Sequence, residues 1–166
     1  MEDGSKLNKT LVLCLRGVPG SGKSTLAKEL ENTLGYTRLS SDELGLKAWK
    51  IPLREAIERG DKFIVVDRCH STHKQRMHVV RTLAPYKDKI FTAIVTIPTP
   101  PFEELEKRIK SDVGHTYGVN DRLIALRVHS KDRQNDFISM RTEGWDRIIK
   151  LENNTLNEIL KELDNE

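Results

Sequence analysis

Apolar and polar positions alternate between two periods along the chain, and the alternation predicts strands and helices in turn. LVLCLRG, residues 11–17, is a near-continuous apolar run of the kind a parallel strand covered on both faces requires. In TLAKELENTL, Leu26, Leu30 and Leu34 recur at spacing four, and Gly35 is placed to end that helix. YTRLS (36–40) is a short second strand. A helical stretch begins near Leu44, is interrupted before Pro52 and resumes through Leu53, Ala56 and Ile57 to Gly60. KFIVVD (62–67) is the third strand, HKQRMHVVRTLA (73–84) a helix stopped by Pro85, and IFTAIVTI (90–97) a fourth strand rich in β-branched residues. PFEELEKRIK (101–110) places Phe102, Leu105 and Ile109 on one helix face. SDVGHTYG (111–118) has two glycines and no period and predicts a loop between helices; residues 119–140 are helical in two pieces. RIIKLE (147–152) is a fifth strand and TLNEILKEL (155–163) a closing helix, capped by Asn154 or Thr155. Five strands alternating with helices predict an α/β fold: a five-stranded parallel sheet with helices on both faces, joined by right-handed crossovers.

The polar residues cluster where this architecture puts chemistry, beyond the C-terminal ends of the strands. GSGKS, SSDE and DRCH follow strands one, two and three. The first cluster belongs to GVPGSGKST, residues 17–25, between a strand and a helix, which is the context of a phosphate-binding loop. Gly17, Gly20 and Gly22 permit a tight turn whose backbone N–H groups, with those of Ser21 and Thr25, converge on phosphate oxygens at a helix N-terminus. Lys23 supplies a flexible ammonium for the β- and γ-phosphates, and the Ser24 hydroxyl is the expected Mg²⁺ ligand.

Asp42, at the end of strand two, is the candidate base for an attacking hydroxyl; Glu43 is its neighbour, and either residue equally suits the N-cap region of the next helix. Asp67 ends the third strand, where a carboxylate holds Mg²⁺ directly or through water, and where aspartate is also ordinary turn chemistry. Arg68, His70 and Arg76 follow on the same edge as candidate cations for a substrate's phosphates. Residues 108–118 form a candidate lid, with Arg108 either a catalytic cation or a helix partner of Glu104. Asn153 and Asn154 are candidates for reading a nucleotide base edge.

Composition narrows the setting. The 166 residues, 37% hydrophobic and 32% charged, fit one compact domain, read as an N-terminal tail over 1–9 and a single domain over 10–166. No apolar run approaches the roughly 18 residues of a membrane span, and MEDGSKLNK lacks the apolar core of a signal peptide, so the expectation is a cytoplasmic or nuclear protein. Cys14 and Cys69 do not make a disulfide framework; Cys14 sits in the first strand as a small hydrophobe. The formal charge of +3 is unevenly spread: residues 46–90 hold 11 Lys or Arg against 5 Asp or Glu, and the last 15 residues one Lys against five acids. The basic stretch is compatible with a polyanionic substrate.

GVPGSGKST, SSDELG, IVVD with Arg76 beyond it, a lid and a final EGWDRIIKL together resemble the polynucleotide 5′-hydroxyl kinases over nearly the whole chain. The likeness extends to the kinase half of the mammalian end-repair enzyme and to the kinase domain of fungal-type tRNA ligases. In the latter the third-strand motif reads Asp-Arg-Asn-Asn-His where this chain has Asp67, Arg68, Cys69, His70 and Ser71. Where the phage enzyme carries an arginine three residues past its base, this chain has Gly45, and the nearest equivalents of the family's lid arginine are Arg108 and Arg122. The resemblance implies transfer of the γ-phosphate of ATP or GTP, with Mg²⁺, to the 5′-OH end of RNA or DNA in RNA repair or tRNA splicing. Asp42 then falls on the general base, and Lys23 and Ser24 on the phosphate and magnesium residues. It also implies a monomer, or one part of a larger ligase or repair protein. A small-molecule or nucleoside kinase on the same scaffold, and a nucleotide-binding switch or scaffold domain, are the alternatives.

Overall fold

The computed structural model describes residues 8–18, 20–40, 48–68, 70, 72–111 and 140–164. Five strands, β1 (Thr10–Arg16), β2 (Thr37–Ser40), β3 (Phe63–Asp67), β4 (Ile90–Thr96) and β5 (Arg147–Lys150), form one sheet in the order β2-β3-β1-β4-β5. Every pairing is parallel. The helices are α1 (Lys23–Leu34), α2 (Lys50–Glu58), α3 (His73–Leu83), α4 (Phe102–Ser111) and α5 (Leu156–Asp164), with a 3₁₀ turn over Ala84–Tyr86. This is the α/β architecture the alternating pattern predicts.

Strand periodicity divides the core. Leu13, Leu15, Val65, Val95 and Ile149 point to the face covered by α1 and α5 and pack with Leu26, Leu30 and Ile159. Val12, Cys14, Leu39, Ile64 and Val66 point the other way, against Trp49, Leu53, Ala56 and Ile57 from the α2 region and Val79 and Leu83 from α3. Each fully buried Val, Leu or Ile contributes about 1.5–3 kcal/mol relative to exposure, so both faces are needed to hold the sheet. A smaller cluster, Val18 with Leu105 and Ile109, fastens α4 to the loop that follows β1.

The helix ends refine the sequence pattern. Helix α2 begins before Pro52, which sits in its first turn, where the missing N–H has no intrahelical partner to lose. Thr72 caps α3 in a capping box with Gln75. Thr155, not Asn154, caps α5: its hydroxyl accepts from the Glu158 N–H at 3.3 Å. The expected helix near Leu44, residues 112–118 of the expected lid and residues 119–139 of the expected two-part helix lie outside the described residues. Among the described residues no helix is long and apolar enough to cross a membrane.

Candidate functional site

Register brings the strand ends together. Asp67 pairs with Leu15 of β1 on one side and with Ser40 of β2 on the other, so the carboxylate that ends β3 lies beside the chain leaving β1. That chain turns tightly: the Ser21 N–H donates to the Val18 carbonyl at 3.1 Å, and Gly20 and Gly22 lie at φ +82° and +96°. At Gly22 two constraints coincide, because a Cβ there would also meet the Asn154 amide nitrogen at 2.5 Å. The turn delivers Lys23 as the first residue of α1. Its buried ammonium lies 3.3 Å from Asp67 Oδ1.

Asp67 is 2% exposed, and neither of its oxygens accepts a hydrogen bond among the described residues. Two cations bracket it instead. Lys23 stands on one side, and Arg38 Nη1 lies 3.7 Å from Oδ2 on the other, with Arg38 Nε 3.5 Å from Glu31. A buried carboxylate with unfilled acceptor capacity, with the half-buried Ser24 next in sequence to the lysine that faces it, fits Mg²⁺, which takes one or two protein oxygens and leaves its remaining positions to water and phosphate. Thr25 is exposed at the next position of α1. Asp42 and Glu43 lie outside the described residues.

The segment after β3 departs from expectation at two of three positions. Arg68 is half-buried, its guanidinium carbon 4.5 Å from the centre of the Trp49 ring, a cation–π contact that holds a cation at the strand end. His70 is not a cation. It is buried, in a left-handed conformation at φ +50°, with Nδ1 2.6 Å from the Leu15 carbonyl. A carbonyl only accepts, so Nδ1 carries the ring proton. Burial, then the Arg68 charge, pushes its pKa down to about 3, so the ring is neutral. Nε2 has no partner among the described residues, so what it offers is a lone pair, not charge.

Arg76 does not face a substrate either. It is fully buried, with Nε 2.9 Å from Glu143 Oε1 and Nη1 donating to the His70 carbonyl at 3.1 Å. Glu143 also accepts from His73 Nδ1 at 2.6 Å and from Trp145 Nε1 at 2.9 Å. Burial pushes the Glu143 carboxyl up, but the hydrogen bonds from Arg76, Trp145 and His73, with the Arg76 charge, outweigh it and hold it below the usual carboxylate range. An ion pair desolvated on both sides is a structural strut, and breaking it to release Arg76 would leave a buried charge.

Arg108 and Asn154 both reach the turn. Arg108 Nη1 donates to the Gly20 carbonyl at 3.0 Å while Nη2 pairs with Glu104, so the two readings of this arginine, helix partner and site cation, are not exclusive. Asn154 Nδ2 donates to the Gly22 carbonyl at 3.2 Å and lies 3.5 Å from that of Ser21. Its donor is therefore turned to the loop and not to a base edge. Sequence reasoning missed Arg38 and Glu143. An arginine within the strand TRLS is the one local hint of the first; for Glu143, 67 residues from Arg76, no local pattern exists.

A family model described as an AAA domain matches residues 12–51, from β1 through the glycine turn to the start of α2. No curated protein matches the chain. Among solved structures, a fungal RNA kinase is 18% identical with a TM-score of 0.64, over 87% of this chain and 77% of that one. A gluconokinase from Sinorhizobium meliloti 1021 is 17% identical with a TM-score of 0.52, over 93% of this chain and 89% of that one. At such identities the likeness is one of fold, and it agrees with the strand order and the glycine turn: the chain has an α/β fold of the P-loop kinase type.

Proposed function

We propose that the chain is a P-loop phosphotransferase that moves the γ-phosphate of ATP or GTP to the 5′-hydroxyl end of a nucleic acid, RNA before DNA. The observation that carries the phosphotransferase reading is Lys23 held against the buried, hydrogen-bond-poor Asp67 at the mouth of the glycine turn. Without nucleotide the ammonium neutralises Asp67; with nucleotide it turns to the β- and γ-phosphates. Ser24 and Asp67 are the residues that would hold Mg²⁺, which when bound offsets charge on those phosphates. Asp42 takes the proton of the acceptor hydroxyl as its oxygen bonds to the γ-phosphorus. The bond from that phosphorus to the β–γ bridging oxygen breaks, and the nucleoside diphosphate leaves. Positioning and charge supply nearly all the catalysis in such a transfer.

Two observations support a polynucleotide acceptor: the basic stretch over 46–90, and Arg68 fixed by Trp49 beside the end of β3. The fungal RNA kinase, alike in fold, agrees with that class. The second reading, a small-molecule kinase, is favoured by the neutrality of His70 and the confinement of Arg76, which together leave Arg68 as the post-β3 candidate for a phosphate grip, and by the gluconokinase likeness. Transfer of labelled phosphate from ATP and GTP to 5′-OH RNA, 5′-OH DNA, nucleosides and gluconate separates them. Turnover on the oligonucleotides, RNA first, is expected. Preferred turnover on gluconate or a nucleoside would replace the reading with the second, and nucleotide binding with negligible transfer to any acceptor would make the chain a nucleotide-binding module.

A further inference from the structure

Residues 20–22 of the glycine turn have their carbonyl oxygens engaged by side chains far away in sequence. Arg108 from α4 takes the Gly20 carbonyl, and Asn154, in the loop between β5 and α5, takes that of Gly22 and approaches that of Ser21. In a trans peptide the carbonyl of one residue and the N–H of the next point in opposite directions. Fixing the carbonyls of Ser21 and Gly22 on the Asn154 side therefore aims the N–H groups of Gly22 and Lys23 the other way, towards the concave side of the turn. The Ser21 N–H is already spent on the Val18 carbonyl, and the Gly22 carbonyl also accepts the Leu26 N–H of α1 at 3.1 Å, so Asn154 and the first turn of the helix together set the direction of the Gly22 and Lys23 N–H groups.

Gly22 shows how closely the fit is drawn. Its missing Cβ is what lets the Asn154 amide approach, because a Cβ would lie 2.5 Å from Nδ2. The anchor of Asn154 is itself built: Glu158 accepts from the Asn153 N–H at 2.7 Å, and Thr155 caps the helix that follows.

We infer that Asn154 is a positioning residue of the phosphate site, with Arg108 holding the start of the same turn: it pre-orients two backbone N–H donors for a polyphosphate and does not select the nucleotide base. The inference rests on the phosphate-loop reading of residues 17–25. Pre-orientation lowers the ordering cost of binding, so its loss shows in affinity for the phosphates whatever base they carry.

The test is calorimetric binding of inorganic tripolyphosphate, ATP and GTP to the full chain and to Asn154→Ala, with Asn154→Ser as a second, milder truncation should the alanine variant fold poorly. All three affinities should fall by the same factor, about 3- to 10-fold, the worth of one neutral hydrogen bond. The ATP:GTP ratio should stay fixed, and thermal stability without ligand should change little. Asn154→Asp, which sets a carboxylate against two carbonyls, should weaken all three ligands further. Unchanged tripolyphosphate affinity, or loss confined to one nucleotide, would overturn the inference in favour of base reading. Lys23→Ala in the same assay keeps the two failures apart: if it binds tripolyphosphate as the unaltered chain does, the phosphate-loop reading itself is wrong.

Discussion

The two sides of the strand ends are built in different ways. On the side proposed for the phosphate donor one contiguous segment supplies the glycine turn, Lys23 and Ser24, and the fold adds Asp67 from the neighbouring strand. On the side proposed for the acceptor Arg68, His70 and Arg76 are near in sequence, yet the structure gives them three different fates: held against Trp49, buried and neutral, and locked to Glu143. Adjacency along the chain thus says what a residue does only where the backbone itself is the functional group. Where a side chain is the functional group, the partner it meets across the fold decides.

That comparison can be broken at its strong side first. Lys23→Ala should abolish transfer, because the phosphates lose the ammonium that the glycine turn delivers to them, whereas Asp42→Asn should cut turnover by roughly 10²- to 10⁴-fold with nucleotide affinity little changed. Steady-state rates beside equilibrium nucleotide binding check both. Near-normal transfer by Lys23→Ala would dissolve the donor side as drawn.

On the acceptor side the strongest effect should be on stability. Glu143→Ala leaves the Arg76 guanidinium buried without its carboxylate and strips the partner from Trp145 and His73, so urea unfolding should show a loss of about 3–5 kcal/mol. A loss under about 1 kcal/mol, the range of an exposed pair, would return Arg76 to the acceptor site.

The next effect is smaller and depends on pH. His70 has a folded pKa of about 3 against an ordinary 6.5, so between these values the unfolded chain binds a proton that the folded one does not. Its contribution to stability is flat above pH 6.5 and falls with pH below that, by about 1.4 kcal/mol per unit, or about 2 kcal/mol by pH 5. His70→Asn, which tolerates the left-handed backbone, should remove that slope. A slope unchanged in the variant would mean that the ring is charged in the folded chain.

Much of this architecture was legible in the residues. The two strand faces, the helix ends at Gly35 and Leu83 and the glycine turn all follow from local rules: period, caps and positive φ. The break before Pro52 is there, a turn at residues 48–49, but α2 resumes at Lys50 and takes the proline into its first turn, a position that a break and a helix start share locally. His70 and Arg76 did mislead. Charge in a sequence is formal, and burial against Leu15 and Glu143 changed the state of one residue and the availability of the other through contacts 55 and 67 residues away. Arg38, within the strand TRLS, and Asn154, read as facing a base, likewise take their roles from partners that no spacing encodes.

The central claim, a polynucleotide acceptor gripped through its phosphates by Arg68, is tested most directly by the salt dependence of acceptor KM. Each single-strand phosphate neutralised adds about −0.7 to the slope of log affinity against log salt, so Arg68 by itself predicts a slope near −0.7 for a short 5′-OH oligonucleotide, and each further cation of the 46–90 stretch that reaches a phosphate steepens it by as much again. A mononucleoside 3′-phosphate should be the poorer acceptor with the shallower slope. Arg68→Ala should raise oligonucleotide KM about tenfold, a loss of about 1.4 kcal/mol, and flatten its slope while leaving the donor's KM unchanged. If neither chain length nor salt alters acceptor KM, the polynucleotide claim is contradicted and the small-molecule reading takes its place.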